Sequence, residues 1–196
     1  MARETRIEDV VAGAARLFAR EGFDGASMRE IAKESGVSKP GLYYHFADKD
    51  ALLFHICRDS IARVLDACSR AAAVAETPEH RLRAVIAEHF AFFLAHPDHL
   101  VVLNRERRRL GEAHRVEIGG LERHYLDLIR GILRDGRDAG RFRVLNPTVA
   151  AFTVLSVLNG LDAWYHADGP LAPEDVRAQI TIHLIDGLTA KTGDPP

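Results

Sequence analysis

Ser38, Lys39, Tyr43, Tyr44 and His45 place three hydroxyls, an ammonium and an imidazole within one short stretch of the chain. If that stretch is helical, its first turn offers unpaired amides and the positive end of a dipole to an anion. Lys39 then stands where an ammonium reaches a phosphate or a base edge. Gly41 lets a backbone approach closely, and a glycine inside a helix, costing roughly 1 kcal/mol against alanine, needs some such reason. The chemistry on offer is the binding of a nucleic-acid backbone. Ser27 and Arg29, one helix earlier, are candidate backbone clamps. Tyr44 is divided between packing and contact, whereas Leu42 and Phe46 read as core.

The surrounding residues say how such a helix is held. Ser27 followed three residues later by Glu30 is a capping box that starts a helix. Met28, Ile31 and Ala32 give that helix a narrow apolar face, and Ser35-Gly36 ends it. Ser38 caps the next helix at once, and Pro40 is tolerated in a first turn. A connection this short crosses two helices steeply and frees the second to enter a major groove. Upstream, Thr5 and Glu8 form a second capping box for a helix over about 5–20, whose stripe of Ile7, Val10, Val11, Ala14, Leu17 and Phe18 supports the reader.

From Thr5 to about Leu53 the chain resembles the DNA-binding domain of the TetR family of bacterial repressors. The resemblance rests on the amphipathic first helix, the link Gly22-Phe23-Asp24-Gly25-Ala26-Ser27, the helix-turn-helix, and the run from Leu42 through Tyr43-Tyr44-His45-Phe46 and Lys49 to Leu53. It implies that Tyr43, His45 and Lys49 contact phosphates. It also implies an all-α, nine-helix chain: a three-helix DNA-binding domain over 1–47, then a six-helix ligand-binding and dimerisation domain over 48–196. Such a protein is a homodimer on a pseudo-palindromic double-stranded operator, released by a small-molecule effector.

Composition is compatible with this. Of 196 residues 47% are apolar, enough for a sizeable core, and the periodicity is helical nearly throughout. The formal charge of -2 argues against bulk nucleic-acid binding, and residues 1–50 carry eight Lys/Arg against nine Asp/Glu. Affinity must then come from placement and dimerisation. Cys57 and Cys68 lie too far apart on one helix to pair, and read as small residues in a reducing cytoplasm, a sensor thiol being the sharper alternative. No apolar run reaches the ~20 residues of a membrane span and no signal peptide opens the chain, so a soluble cytoplasmic protein is expected. His96 and His99 are the nearest approach to a metal pair and lack further ligands; no metal and no cofactor are expected. Nucleophile-elbow, phosphate-loop and zinc-protease motifs are missing, which leaves an enzyme without support.

Beyond the reader, the spacing predicts helices from the Asp48 cap to about 75, from Thr77-Pro78 to before Pro97, over about 98–110, over about 113–138, from Asn146-Pro147 to about Tyr165, and from Pro173 to about Leu188. The last two carry apolar residues nearly all round, as two helices per subunit in a four-helix dimer interface would; Val154, Leu158, Leu161, Ile180, His183 and Leu184 are its candidates. A single monomeric core is the alternative. Phe54, Cys57, Ile61, His89, Phe90, Phe93, Leu103, Tyr125, Leu128, Phe152 and Trp164 are candidates to line an effector cavity, each also readable as core. Arg105 and Arg109, a turn apart in a basic run, suit either an anionic ligand group or a solvated face. The segment from Trp164-Tyr165 through Asp168-Gly169-Pro170-Leu171 to Pro173-Glu174 resembles TetR-type regulators of fatty-acid and sterol-ring breakdown, which implies an acyl-CoA thioester as effector; a non-CoA hydrophobic molecule is the alternative, in a regulator of efflux or aromatic catabolism.

Overall fold

The structure, a computed structural model, describes residues 2–144 and 146–189, with side chains from residue 7 onward. Among these residues it forms nine α-helices and no strand. Helix α1 (Ala2–Gly25) begins earlier than the sequence predicts, so that Thr5 lies inside it; the Thr5 side chain of the expected capping pair with Glu8 lies outside the described ones. Within α1 the backbone breaks at Gly22, whose φ of 74° favours glycine, and this sets off the predicted link.

Helices α2 (Met28–Glu34) and α3 (Lys39–His45) are the predicted helix-turn-helix. Next come α4 (Lys49–Ala73) and α5 (Pro78–Ala95), capped through Asp48 and Thr77 as expected: Asp48 Oδ1 accepts from the Ala51 amide at 2.7 Å and Thr77 Oγ1 from that of His80 at 3.2 Å. Helix α6 (Pro97–Glu106) tightens into a 3-10 turn over Arg107–Arg109 before α7 (Glu112–Asp138), which ends at Gly140 with φ 67°. Helix α8 (Pro147–Asn159) starts on the Asn146 cap and stops short of the predicted Tyr165, because Gly160–Ala163 winds as a 3-10 turn. Helix α9 is Pro173–Leu188.

Two compact units result. One comprises the residues up to Ala62 together with His96–Gly120; the other comprises Arg63–Ala95 and the residues from Leu121 on. This division differs from a boundary at residue 47. Helix α6 and the start of α7 belong with the reader because α6 packs along α1. The first unit is cored by Val10, Ala14, Phe18, Ile31, Leu42, Leu52, Leu53 and Ile56, all fully buried, so burying the α1 stripe fixes the reader. In the second unit α5 packs against α8 and α9. No helix among the described residues is long and apolar enough to cross a membrane.

Candidate nucleic-acid interface and sensing region

The reader is built from caps inward. Ser27 Oγ accepts from the Glu30 amide at 3.3 Å, while Glu30 Oε2 accepts from the Ser27 amide at 3.0 Å. The Ser27 hydroxyl and amide hydrogen bonds hold the Glu30 carboxyl below its usual range. Helix α2 then ends as predicted, with the Gly36 amide on the Lys33 carbonyl (3.2 Å), the Val37 amide on that of Ala32 (3.0 Å) and Gly36 at φ 66°. Ser38 Oγ accepts from the Gly41 amide at 3.2 Å. Gly41 thus sits in the first turn of α3 and not in its middle, and a Cβ there would meet Ser38 Oγ at 3.1 Å. The cap gives Gly41 a local reason besides close approach to a partner.

Leu42 and Phe46 are buried, so α3 is anchored on one side only. Its other side presents Ser38, Lys39, Tyr43 and Tyr44 to solvent, with Tyr43 45% and Tyr44 70% exposed. Such exposure removes the packing reading of Tyr44, whose ring meets the edge of His45 at 5.1 Å. Lys39 Nζ lies 5.8 Å from the centre of the Tyr43 ring. Two exposed phenols on a seven-residue helix, next to an ammonium, form an amphipathic surface with hydroxyl donors at its edge. Ser27 and Arg29 are exposed as well. Although acids outnumber bases in this part of the chain, Arg16 and Arg20 pair with Glu34, and among the described residues no salt bridge engages Arg29, Lys33 or Lys39. Placement supplies what net charge does not.

Lys49 departs from the expectation. Its ammonium donates to the Phe23 carbonyl at 2.6 Å and the Ala26 carbonyl at 2.9 Å, and lies 4.4 Å from the Phe23 ring centre. It closes the link after α1, leaving one N–H for any phosphate. The same link is held from the 3-10 turn after α6, where Arg109 pairs with Asp24 and, at 3.1 Å, with Glu106. Lys49→Ala should therefore cost roughly 1–3 kcal/mol of stability, because two buried-side carbonyls lose a charged donor. Operator affinity should fall with it while the salt slope stays close to that of the parent. Thermal unfolding and salt-dependent binding check this; a lower slope with unchanged stability would restore Lys49 to the phosphate contacts alone.

The expected cavity lining divides between the units. Phe54, Cys57, Ile61 and Leu103 lie in the first, where Phe54 stacks on His114 at 3.8 Å. His89, Phe90, Phe93, Tyr125 and Leu128 lie in the second, and among these His89, Phe90, Phe93 and Tyr125 are buried. Phe152 and Trp164 do not join them, being 54% and 52% exposed. Arg109 pairs with the carboxylates of Asp24 and Glu106, with which an anionic ligand would compete, and Arg105 is exposed. Both cysteines are buried, and desolvation pushes Cys57 up to about 12 and Cys68 up to about 11; the reactive thiolate of a redox sensor is disfavoured at either.

A polar cluster occupies the interior of the second unit. Tyr125 Oη stands 2.9 Å from His89 Nδ1 and 3.5 Å from Cys68 Sγ, and Cys68 Sγ stands 3.6 Å from the Val85 carbonyl. Burial lowers His89 to about 4 and raises Tyr125 well above the usual phenol range, so both are neutral at physiological pH.

The dimer residues need a different correction. Val154, Leu158 and Leu161 are buried within their own subunit, as are Ile180 and Leu184. The exposed apolar residues of α8 are Val149, Phe152 and Val157, which with Thr153 and Ser156 line an open groove; α9 adds exposed Ile182 and His183. Of the six candidates only His183 is exposed, so the side chains that α8 and α9 leave open to a partner are largely others on the same helices. Because α8 is apolar nearly all round, its hydropathy carries no signal for which side turns inward.

Comparison with known proteins covers both units. Residues 10–56 match the family described as "Bacterial regulatory proteins, tetR family", and residues 75–188 match "Tetracyclin repressor-like, C-terminal domain". The chain is 24% identical over 194 residues to the HTH-type transcriptional repressor KstR2 of Mycolicibacterium smegmatis, covering 97% of this chain and 94% of that one. Among solved structures it resembles the TetR family transcriptional regulator PfmR of Thermus thermophilus, with TM-score 0.84 and 29% identity over 92% of this chain and 99% of that one. It also resembles AibR, solved in complex with isovaleryl coenzyme A and operator DNA, with TM-score 0.83 and 26% identity over 92% and 98% of the two chains.

Proposed function

The chain belongs to the TetR family of bacterial regulators, and on that premise we propose that it is a homodimeric transcriptional repressor released from its operator by an apolar effector, an acyl-CoA thioester being the favoured class. The observation that carries the DNA reading is the outward face of α3, with Lys39, Tyr43 and Tyr44 exposed on a helix whose other side is locked by Leu42. Ser27, Arg29, Ser38 and His45 flank that face, and Gly41 keeps the cap tight. Two such readers, one per subunit, meet two half-sites of a pseudo-palindrome. The groove on α8 and the exposed side of α9 form the joint between subunits.

Release follows from what grips the link after α1. Lys49 at the start of α4 and Arg109 in the turn after α6 both hold the 23–26 segment, so a shift of either helix moves the reader directly. A thioester effector is supported by the isovaleryl coenzyme A bound to the similar AibR and by the resemblance of the 164–174 segment. Against a coenzyme A tail gripped by the basic run stands the engagement of Arg109 by Asp24 and Glu106, which favours an uncharged apolar molecule as the second reading.

The test is titration of the complex with DNA from upstream of its own gene. Isovaleryl-, octanoyl- or palmitoyl-CoA should release the protein at micromolar concentration where free coenzyme A and the free acids do not. Release by apolar molecules without coenzyme A, with all three thioesters inert, would replace the first reading by the second.

A further inference from the structure

His89 is 1% exposed, and its Nε2 has no hydrogen-bond partner among the described residues. A buried polar atom left unpaired is unfavourable, so its persistence in an otherwise apolar interior calls for a purpose. The other ring nitrogen says what Nε2 carries. Tyr125 has one hydroxyl hydrogen and two neighbours, His89 Nδ1 at 2.9 Å and Cys68 Sγ at 3.5 Å. An imidazole nitrogen at that distance is much the better acceptor than a thiol sulfur further away, and the Cys68 thiol has the Val85 carbonyl for its own hydrogen. The phenol therefore donates to Nδ1. A neutral imidazole with Nδ1 accepting bears its hydrogen on Nε2, which makes the unpaired atom a donor.

The surroundings select what such a donor receives. Phe90 and Phe93 follow His89 on α5, both buried, and the Tyr165 ring lies 6.0 Å from one and 6.1 Å from the other. Tyr165 Oη is a second buried polar atom without a hydrogen-bond partner among the described residues. Two hydrogen-bonding groups among aromatic and aliphatic side chains suit a part of a ligand that is apolar apart from one or two neutral polar atoms.

We propose that the Nε2–H of His89 is the donor by which the C-terminal unit reads the carbonyl oxygen at the head of an effector's apolar acyl group, with Tyr125 as the positioning residue that fixes the imidazole tautomer. The inference rests on the effector-responsive reading above and deepens it. A thioester or ketone carbonyl accepts one hydrogen bond and brings no charge. A carboxylate would bring a charge that the neutral ring does not balance, and burying it uncompensated is costly.

The experiment uses the full-length protein with isovaleryl-, octanoyl- and palmitoyl-CoA, each isotope-labelled at the thioester carbonyl. On binding, the labelled carbonyl stretch should move to lower frequency, and nitrogen NMR of the free protein should find the His89 proton on Nε2. In His89→Phe the frequency shift should vanish and affinity fall about tenfold, the usual size for one lost hydrogen bond. In Tyr125→Phe the proton should redistribute between the two nitrogens and the shift should diminish. If His89→Phe does not fold, the native tautomer and the Tyr125→Phe shift still decide.

A proton on Nδ1, an unchanged carbonyl shift in either variant, or an Nε2–H bonded only to water with ligand present would overturn the proposal. If the thioesters bind and release DNA regardless of His89, this inference fails and the effector reading stands. If none of them binds the parent protein, the thioester reading fails and this inference falls with it.

Discussion

Phe152→Arg is expected to turn the protein from a dimer into a folded monomer. The side chain is 54% exposed on the isolated subunit and lines the α8 groove, so an arginine there is solvated as long as the subunit stands alone. In a two-fold joint the same residue meets the partner's copy of the groove, and each subunit would bury an unpaired cation. Breaking charge balance in a buried setting costs roughly 3–5 kcal/mol, or about a hundred- to several-thousand-fold in the dissociation constant at 1.4 kcal/mol per decade. Operator binding should collapse as well, because a monomer engages one half-site only. Light scattering reads the mass and circular dichroism the fold. Leu158→Arg supplies the contrast: Leu158 is 1% exposed within its own subunit, so its replacement should unfold the second unit and not merely split the dimer. A Phe152→Arg protein that remains dimeric at micromolar concentration would move the joint off this face.

That contrast marks the boundary of what the residues disclose by themselves. Caps are local, and the sequence places them well: Ser27 with Glu30, Ser38, Asp48, Thr77 and Asn146 all start helices where their side chains predict. The reader is legible for the same reason, since a cap, a Gly36 stop and a second cap fix a turn without help from distant chain. Faces are not legible on α8. There Ala151, Val154 and Leu158 turn inward while Val149, Phe152 and Val157 turn outward, and nothing in their apolarity ranks one set above the other. Long-range partners are hidden too. Lys49 is equally suited to a phosphate or a carbonyl, and only the fold brings it within reach of Phe23 and Ala26. Arg109 is one arginine of a basic run until Asp24 is found beside it.

Gly13 carries a signal of a different kind: a glycine amid the α1 stripe, where alanine would gain roughly 1 kcal/mol of helix propensity. The structure supplies its reason. A Cβ at Gly13 would stand 2.3 Å from Ser35 Oγ and 3.1 Å from the Ser35 Cα, so α1 and the end of α2 touch at this point. Ser35 is no passive neighbour. Its amide caps α2 on the Ile31 carbonyl at 2.9 Å, and its hydroxyl donates to the Val10 carbonyl at 3.4 Å. Pushing it aside disturbs the Gly36 stop and with it the angle at which α3 leaves the turn. Gly13→Leu is therefore expected to lose about 3 kcal/mol or more through overpacking, although leucine is a good helix former and propensity alone predicts a gain. Gly13→Ala should come out closer to neutral, since the propensity gain offsets part of the clash and the hydroxyl can rotate away. Adding Ser35→Ala to Gly13→Ala should recover stability by removing the nearest atom, a coupling that two independent sites would not show. The leucine variant should remain dimeric through its C-terminal unit yet fail to bind the operator. Native thermal stability and operator affinity in Gly13→Leu would show that the contact between α1 and Ser35 does not set the geometry of the reader.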